Sequence, residues 1–152
     1  SISFPNYKMF YRLRVDNPGI DWAVIRLSPA ILWEKRCVFC RSNAATREIA
    51  DENIENRMTS TAFRAMFADY GDWPNRSALK IRRKHTTNPQ AEVLVLEPVE
   101  PRYLADVLVD EKAQINDLPA LKDLITAYKD RVAFYSSKRY FDARIDHAHW
   151  KE

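Results

Sequence analysis

The sequence predicts an α+β domain, and three observations point there. Apolar residues recur with a helical period over one long stretch, Ala45 to Tyr70, and over a second, Leu118 to Tyr128. Elsewhere, short runs rich in β-branched and aromatic residues fall between turn-forming residues. The two kinds of segment do not alternate as a repeating strand–helix–strand unit, so a doubly wound parallel sheet is not expected. The 152 residues suit a single domain spanning 1–152, long enough to bury a core. A content of 46% apolar and 30% charged residues is that of a globular chain, not a disordered one.

In chain order, Ile2 to Phe4 and Met9 to Arg14 read as extended segments around a turn at Pro5-Asn6. Asn17-Pro18-Gly19 is a turn. Trp22 to Leu27 is apolar enough for a buried strand. Ser28-Pro29 opens a short helix through Lys35, with serine as the cap and proline at the first helical position. Val38-Phe39 returns to a strand. In the helical stretch that follows, Ile54, Met58, Ala62, Met66 and Tyr70 repeat every fourth residue, and Thr59-Ser60-Thr61 divides it in two. Gly71 to Asn75 is a loop containing Trp73. A strand follows at Ala91 to Leu96, a turn at Pro98 to Pro101 and a strand at Asp106 to Val109. The helix at Leu118 to Tyr128 takes Asp117 as its cap and Pro119 near its start. Val132 to Tyr135 and Ala143 to Ile145 close the chain as short strands.

Several function classes drop out. With only two glycines, Gly19 and Gly71, the chain has no glycine-rich phosphate cradle, which excludes P-loop and Rossmann chemistry. No run approaches the roughly 18 apolar residues of a membrane span. SISFPNYKMF lacks the build of a signal peptide, so a cytoplasmic home without membrane contact is expected. Cys37 and Cys40, in CVFC, lack the second pair that a zinc site needs, and on a strand they face opposite sides. They read as reduced, half-buried thiols, and no metal is expected.

The net charge of +3 by itself indicates no nucleic-acid partner, but its distribution is uneven. Arg76, Lys80, Arg82, Arg83, Lys84 and His85 fall within ten residues that hold no acid. Acids gather between Glu97 and Asp130. A basic face can follow from this, or only a solvated surface with scattered salt bridges.

Against that basic run, NPQAEVLV places a carboxylate, Glu92, at the mouth of an apolar strand. Glutamate is depleted in strands, and a buried carboxylate is costly unless paired. One acid cannot run the two-carboxylate chemistry of a glycosidase. It can stabilise positive charge developing on a ribose ring, hold a sugar hydroxyl, or take a proton from an attacking nucleophile. Cleavage of the nicotinamide–ribose bond of NAD asks for these functions. The plain alternative is an ion pair with a neighbouring arginine.

Five blocks, HTTNPQAEVLV, PVEPRYLADVLV, ISFPNYKMFYRLR, WAVIRLSPAILWEKRCVFCRSNAA and ARIDHAHW, together resemble the DarT-type DNA ADP-ribosyltransferases, toxins of toxin–antitoxin pairs. The resemblance implies an ADP-ribosyltransferase-like core of short strands with inserted helices, in which ARIDHAHW forms the closing strand. It makes Glu92 the catalytic residue and puts Asn43 at the polar NAD-binding position after the Val38-Phe39 strand. It assigns Arg83, Lys84 and His85 to a loop that recognises the target nucleotide, and Lys8, Met9 and Tyr11 to a DNA-side segment. NAD is the implied ADP-ribose donor. The implied partners are single-stranded DNA, whose exposed bases could stack on Trp73 or Tyr11, and a cognate macrodomain-type antitoxin. In that family a region with a His-Thr type motif and an arginine precedes the FPNYKMF stretch and grips NAD. This chain is therefore expected to be the carboxy-terminal part of such a domain, incomplete at its amino terminus. Two other readings stand beside the enzyme: a non-catalytic nucleic-acid-binding module, and an interaction domain whose basic face meets an acidic antitoxin.

Overall fold

The computed structural model describes residues 1–110, 119–128 and 130–150. In chain order the elements are α1 (Tyr7–Asp16), β1 (Ala23–Leu27), α2 (Ile31–Glu34), β2 (Cys37–Cys40), α3 (Arg47–Ala50), α4 (Ser60–Ala65), β3 (Glu92–Val95), β4 (Leu104–Val109), α5 (Pro119–Tyr128) and β5 (Ala133–Ser136). Short 3-10 turns lie at Glu55–Met58, Pro101–Tyr103, Lys138–Tyr140 and His147–Trp150. The mixture of short strands and helices is the predicted α+β class. The chain divides into two compact units: Ser1–Tyr7 with Lys35–Glu97 and Ala143–Glu152, and Lys8–Glu34 with Pro98–Asp142.

The first unit is built on the antiparallel pair β2–β3, in register from Cys37 opposite Val95 to Cys40 opposite Glu92. All four residues of β2 are buried, so both cysteines are fully enclosed free thiols rather than half-buried ones. Burial pushes both thiols up from their ordinary range. Val38 and Cys40 pack with Ile49 of α3, and Ala44 and Met58 close over them. On the other side of the strand Phe39 meets Phe63 of α4 edge-on at 5.2 Å. The long helical stretch is therefore broken into three short pieces. Thr59 ends one and begins the next, its hydroxyl accepting from the Ala62 N–H at 3.1 Å. Of the residues in the fourfold repeat Met66 is buried, Met58, Ala62 and Tyr70 are partly buried and Ile54 is exposed, because short helices that each cover one patch of β2 replace the single long one.

The second unit is a three-stranded sheet in the order β1–β4–β5, antiparallel between β1 and β4 and parallel between β4 and β5. A parallel pair needs a crossover, and α5 lies on it. Asp117, expected to cap that helix, and Leu118 lie outside the described residues. Central β4 is buried from Asp106 to Val109. Strand β1, expected to be buried, is an edge strand with most of its side chains exposed. Its Arg26 makes a forked pair with the directly opposite Asp106 and reaches the Tyr135 hydroxyl at 3.0 Å. Ser28 begins α2 as expected, its Oγ accepting from the Ala30 N–H at 3.3 Å.

Three expected extended segments are not strands, Ile2 to Phe4 being irregular. Met9 to Arg14 belong to α1, where Phe10 and Arg14, one turn apart, share a face. Phe10 packs against Trp22 and Phe141, and the Arg14 guanidinium lies 5.0 Å from the Phe10 ring centre and donates to the Phe141 carbonyl. Asn17 ends the helix, returning both its N–H and its side-chain amide to the Leu13 carbonyl. Residues Ala143 to Ile145, the expected closing strand, are irregular and lead into a 3-10 turn. Among the described residues no helix is long and apolar enough to cross a membrane.

Candidate active site

Glu92 is the first residue of β3, and the ladder sets it opposite Cys40, the last residue of β2. The chain turns immediately after Cys40. Asn43 makes that turn: its Oδ1 accepts from the Ala45 N–H at 2.8 Å, and its carbonyl accepts from the Thr46 N–H and hydroxyl at 3.0 and 2.8 Å. The same turn aims the Ala44 N–H at Glu92, whose Oε2 accepts it at 3.0 Å. The carboxylate is thus half-buried and fixed by a backbone dipole. Among the described residues no arginine or lysine lies within ion-pair distance of it. Among the described residues the ordinary ion pair with a neighbouring arginine is not formed, and the positive charge that interacts with Glu92 is the Ser1 amino group.

The loop leading into β3 is buried from His85 to Pro89, while Arg82, Arg83 and Lys84 are exposed. His85 is only 6% exposed. Its Nδ1 lies 2.8 Å from the Ser3 hydroxyl, and its ring meets Phe4 edge-on. Burial first, then the positive charges of Arg144, Lys84 and Arg82, bring its pKa down to about 4. His85 is a neutral, inward-facing ring, and the cationic surface of this loop comes from its neighbours. Beyond it, the Thr86 hydroxyl donates to the Asn88 carbonyl at 2.9 Å, and the Asn88 amide donates to Ser42 Oγ at 3.2 Å. That last bond ties the loop to the turn that holds Glu92.

A family model described as "ssDNA thymidine ADP-ribosyltransferase, DarT" matches residues 3–141. The chain belongs to the DarT family. Among solved structures it is similar to Thermosipho africanus DarTG in complex with ADP-ribose, with a TM-score of 0.51 at 21% identity over 92% of this chain. At that identity the likeness speaks for the fold, and the expected ADP-ribosyltransferase-like core is borne out. The chain spans about a third, 34%, of the length of that neighbour. A comparison with curated proteins gave no match.

Within this DarT-family chain, the first unit brings together Glu92, Asn43, Arg83, Lys84 and His85. Lys8, Met9 and Tyr11 lie in the second unit, on the first half of α1, with Met9 and Tyr11 exposed. Trp73 is partly exposed and packs edge-on against Tyr70. Among the described residues no group of histidines, cysteines or carboxylates could hold a metal ion.

The residues that organise the site went unread in the sequence. Arg76, counted there with the basic run, turns back on the loop: it donates to the His85 carbonyl at 2.9 Å and the Thr87 hydroxyl at 2.8 Å. Arg144 and Asp146, from the segment read as a closing strand, are 3% and 1% exposed, whereas Ile145 between them is 75% exposed. A polar–apolar–polar triplet reads as a strand with its apolar residue inward, and here the polarity is reversed. The one signal available was an arginine and an aspartate two residues apart, close enough to satisfy each other's charge.

Proposed function

We propose that this chain supplies the catalytic carboxylate and the nucleotide-recognition loop for NAD-dependent transfer of ADP-ribose onto thymidine in single-stranded DNA. The observation that carries the proposal is the state of Glu92: a carboxylate at a strand mouth, oriented by the Ala44 N–H, with no arginine or lysine of the described residues paired to it. Such a group has charge to spend on a substrate.

In the reaction, the bond between nicotinamide and the ribose C1′ breaks and nicotinamide leaves with the bonding electrons. Positive charge builds on the ribose, and the Glu92 carboxylate stabilises it and orients the sugar hydroxyls. Thymidine has a single ring N–H. Glu92 takes that proton as the nitrogen forms its bond to C1′, so charge and atoms balance. General-base action of this kind contributes on the order of 10²–10⁴-fold. Asn43 commits its Oδ1 to the turn, which leaves its amide N–H groups as donors towards NAD. Exposed Arg83 and Lys84 hold phosphates of the strand, His85 keeps their loop in place, and Lys8, Met9 and Tyr11 form a second contact with the DNA. A single strand presents its base without the cost of unstacking a duplex. The wider setting implied by the sequence resemblance, a cytoplasmic toxin held in check by a macrodomain-type antitoxin, belongs to the same proposal.

The test is mass gain on thymidine-containing oligonucleotides incubated with NAD and the full-length protein. Addition of one ADP-ribose per modified base, abolished by Glu92→Ala, is the expected result. Transfer that survives Glu92→Ala overturns the assignment. Salt-sensitive oligonucleotide binding with no transfer selects the non-catalytic binding module instead.

A further inference from the structure

We infer that the buried pair Arg144–Asp146 is the positioning device for the loop that precedes Glu92, and so sets how the acceptor nucleotide is held; the second half of this inference rests on the function proposed above. The two carboxylate oxygens of Asp146 each take one guanidinium hydrogen bond from Arg144, both at 2.6 Å. That fork fixes the plane of the guanidinium. Two of its three remaining N–H groups donate to the Thr86 carbonyl at 2.8 Å and the Thr87 carbonyl at 2.9 Å, across 58 and 57 residues of chain. Arg76 grips the same loop through the Thr87 hydroxyl and the His85 carbonyl, with longer bonds to the Arg82 and Arg83 carbonyls. Two guanidinium groups hold one short loop, and burial first, then the positive charge of Arg144, brings the Arg76 guanidinium down from its ordinary range. Asp69, and after it Asp146, supply negative charge that offsets this at Arg76.

The consequence lies in which atoms face which way. The carbonyls of Arg82, Arg83, His85, Thr86 and Thr87 are all turned towards the two arginines. Exposed Arg83 and Lys84 then project from a backbone whose negative dipole ends point inward, which suits an anionic strand. The same grip places Asn88, which bonds Ser42 at the base of the Glu92 turn. Arg144 reaches the loop carbonyls, so the pair acts through the loop and is a positioning device, not a catalytic one.

Arg144→Lys tests this in the full-length protein, because lysine keeps the charge opposite Asp146 but cannot reach two carbonyls from one planar fork. Amide hydrogen exchange at residues 85–88 should quicken tenfold or more, while β2 and β3 amides at 37–40 and 92–95 keep their protection. The KM for the oligonucleotide should rise tenfold or more, with kcat and the KM for NAD within about threefold of wild type. Arg47→Lys, on an exposed helix, should change none of these. Equal loss of protection in loop and strands would mean that the pair is general cement, and the inference fails. Unchanged exchange and unchanged KM also overturn it. Absence of transfer in the wild type would sink the proposed function alone, since the exchange measurement still decides whether the pair holds the loop.

Discussion

The carboxylate of Glu92 and the backbone N–H of Ala44 meet at 3.0 Å, across 48 residues of chain. That bond joins the end of β2 to the start of β3 at the one point where the strand pair ends in a charged side chain. It uses one carboxylate oxygen, and the proposed function gives the other to the substrate.

Glu92→Gln should separate charge from geometry. The amide oxygen still accepts the Ala44 N–H, so the thermal midpoint should move by no more than a few degrees. Transfer should fall by about 10²–10⁴-fold, the range of a lost general base. A melting curve beside a single-turnover transfer assay checks both halves.

Asn43→Ala removes the side-chain acceptor that shapes the turn after β2. Loss of such a local cap costs about 1 kcal/mol, and the Ala44 N–H loses its aim at Glu92. Asn43→Asp keeps the acceptor. Denaturant titration should find the alanine variant destabilised and the aspartate variant near wild type. Transfer should drop in both, because aspartate adds a negative charge beside Glu92 and removes the amide donor.

His85 gives the first unit an acid-sensitive point. Its folded pKa of about 4 lies below the ordinary 6.5, so the unfolded chain takes up the proton first as the pH falls. Stability from the neutral ring is fully present above about pH 6.5 and is lost progressively as the pH falls towards 4. Chemical denaturation between pH 7 and 4 should show this decline. His85→Gln, which cannot titrate, should flatten it.

Arg83 and Lys84 are assigned to phosphates, and salt dependence reads that assignment directly. Single-stranded binding weakens with salt at a slope of about 0.7 per phosphate contact. Arg83→Ala and Lys84→Ala should each reduce the slope by about that amount. Arg47→Ala, equally basic but placed on α3, should leave it unchanged.

Two isoleucines should behave oppositely despite the same side chain. Ile49 is fully buried against Val38 and Cys40, and Ile49→Ala should cost about 2–5 kcal/mol. Ile145 is exposed, and Ile145→Ser should fall within about 0.5 kcal/mol of wild type. Urea unfolding of both variants checks the contrast, which a reading of the closing segment as a strand would reverse.

Local signals were enough for much of this protein. The Asn17-Pro18-Gly19 turn, the Ser28 cap, the break at Thr59, the strand beginning near Glu92 and the loop around Trp73 all follow from residues within a few positions of one another. So does the placing of one acid at a strand mouth. What tertiary structure decided is which polar groups go inside. Phe141 and Asp110 meet the Phe10–Arg14 face, and Met9 to Arg14 coil into a helix. Carbonyls 57 and 58 residues away receive Arg144, and an apparent strand turns inside out, with Ile145 left in solvent. Burial first, and then the charges of Arg144, Lys84 and Arg82, keep the His85 ring neutral. A linear pattern records how polar each residue is. It does not record the distant partner that makes burying a charge possible, and in this protein those partners arrange the residues around Glu92.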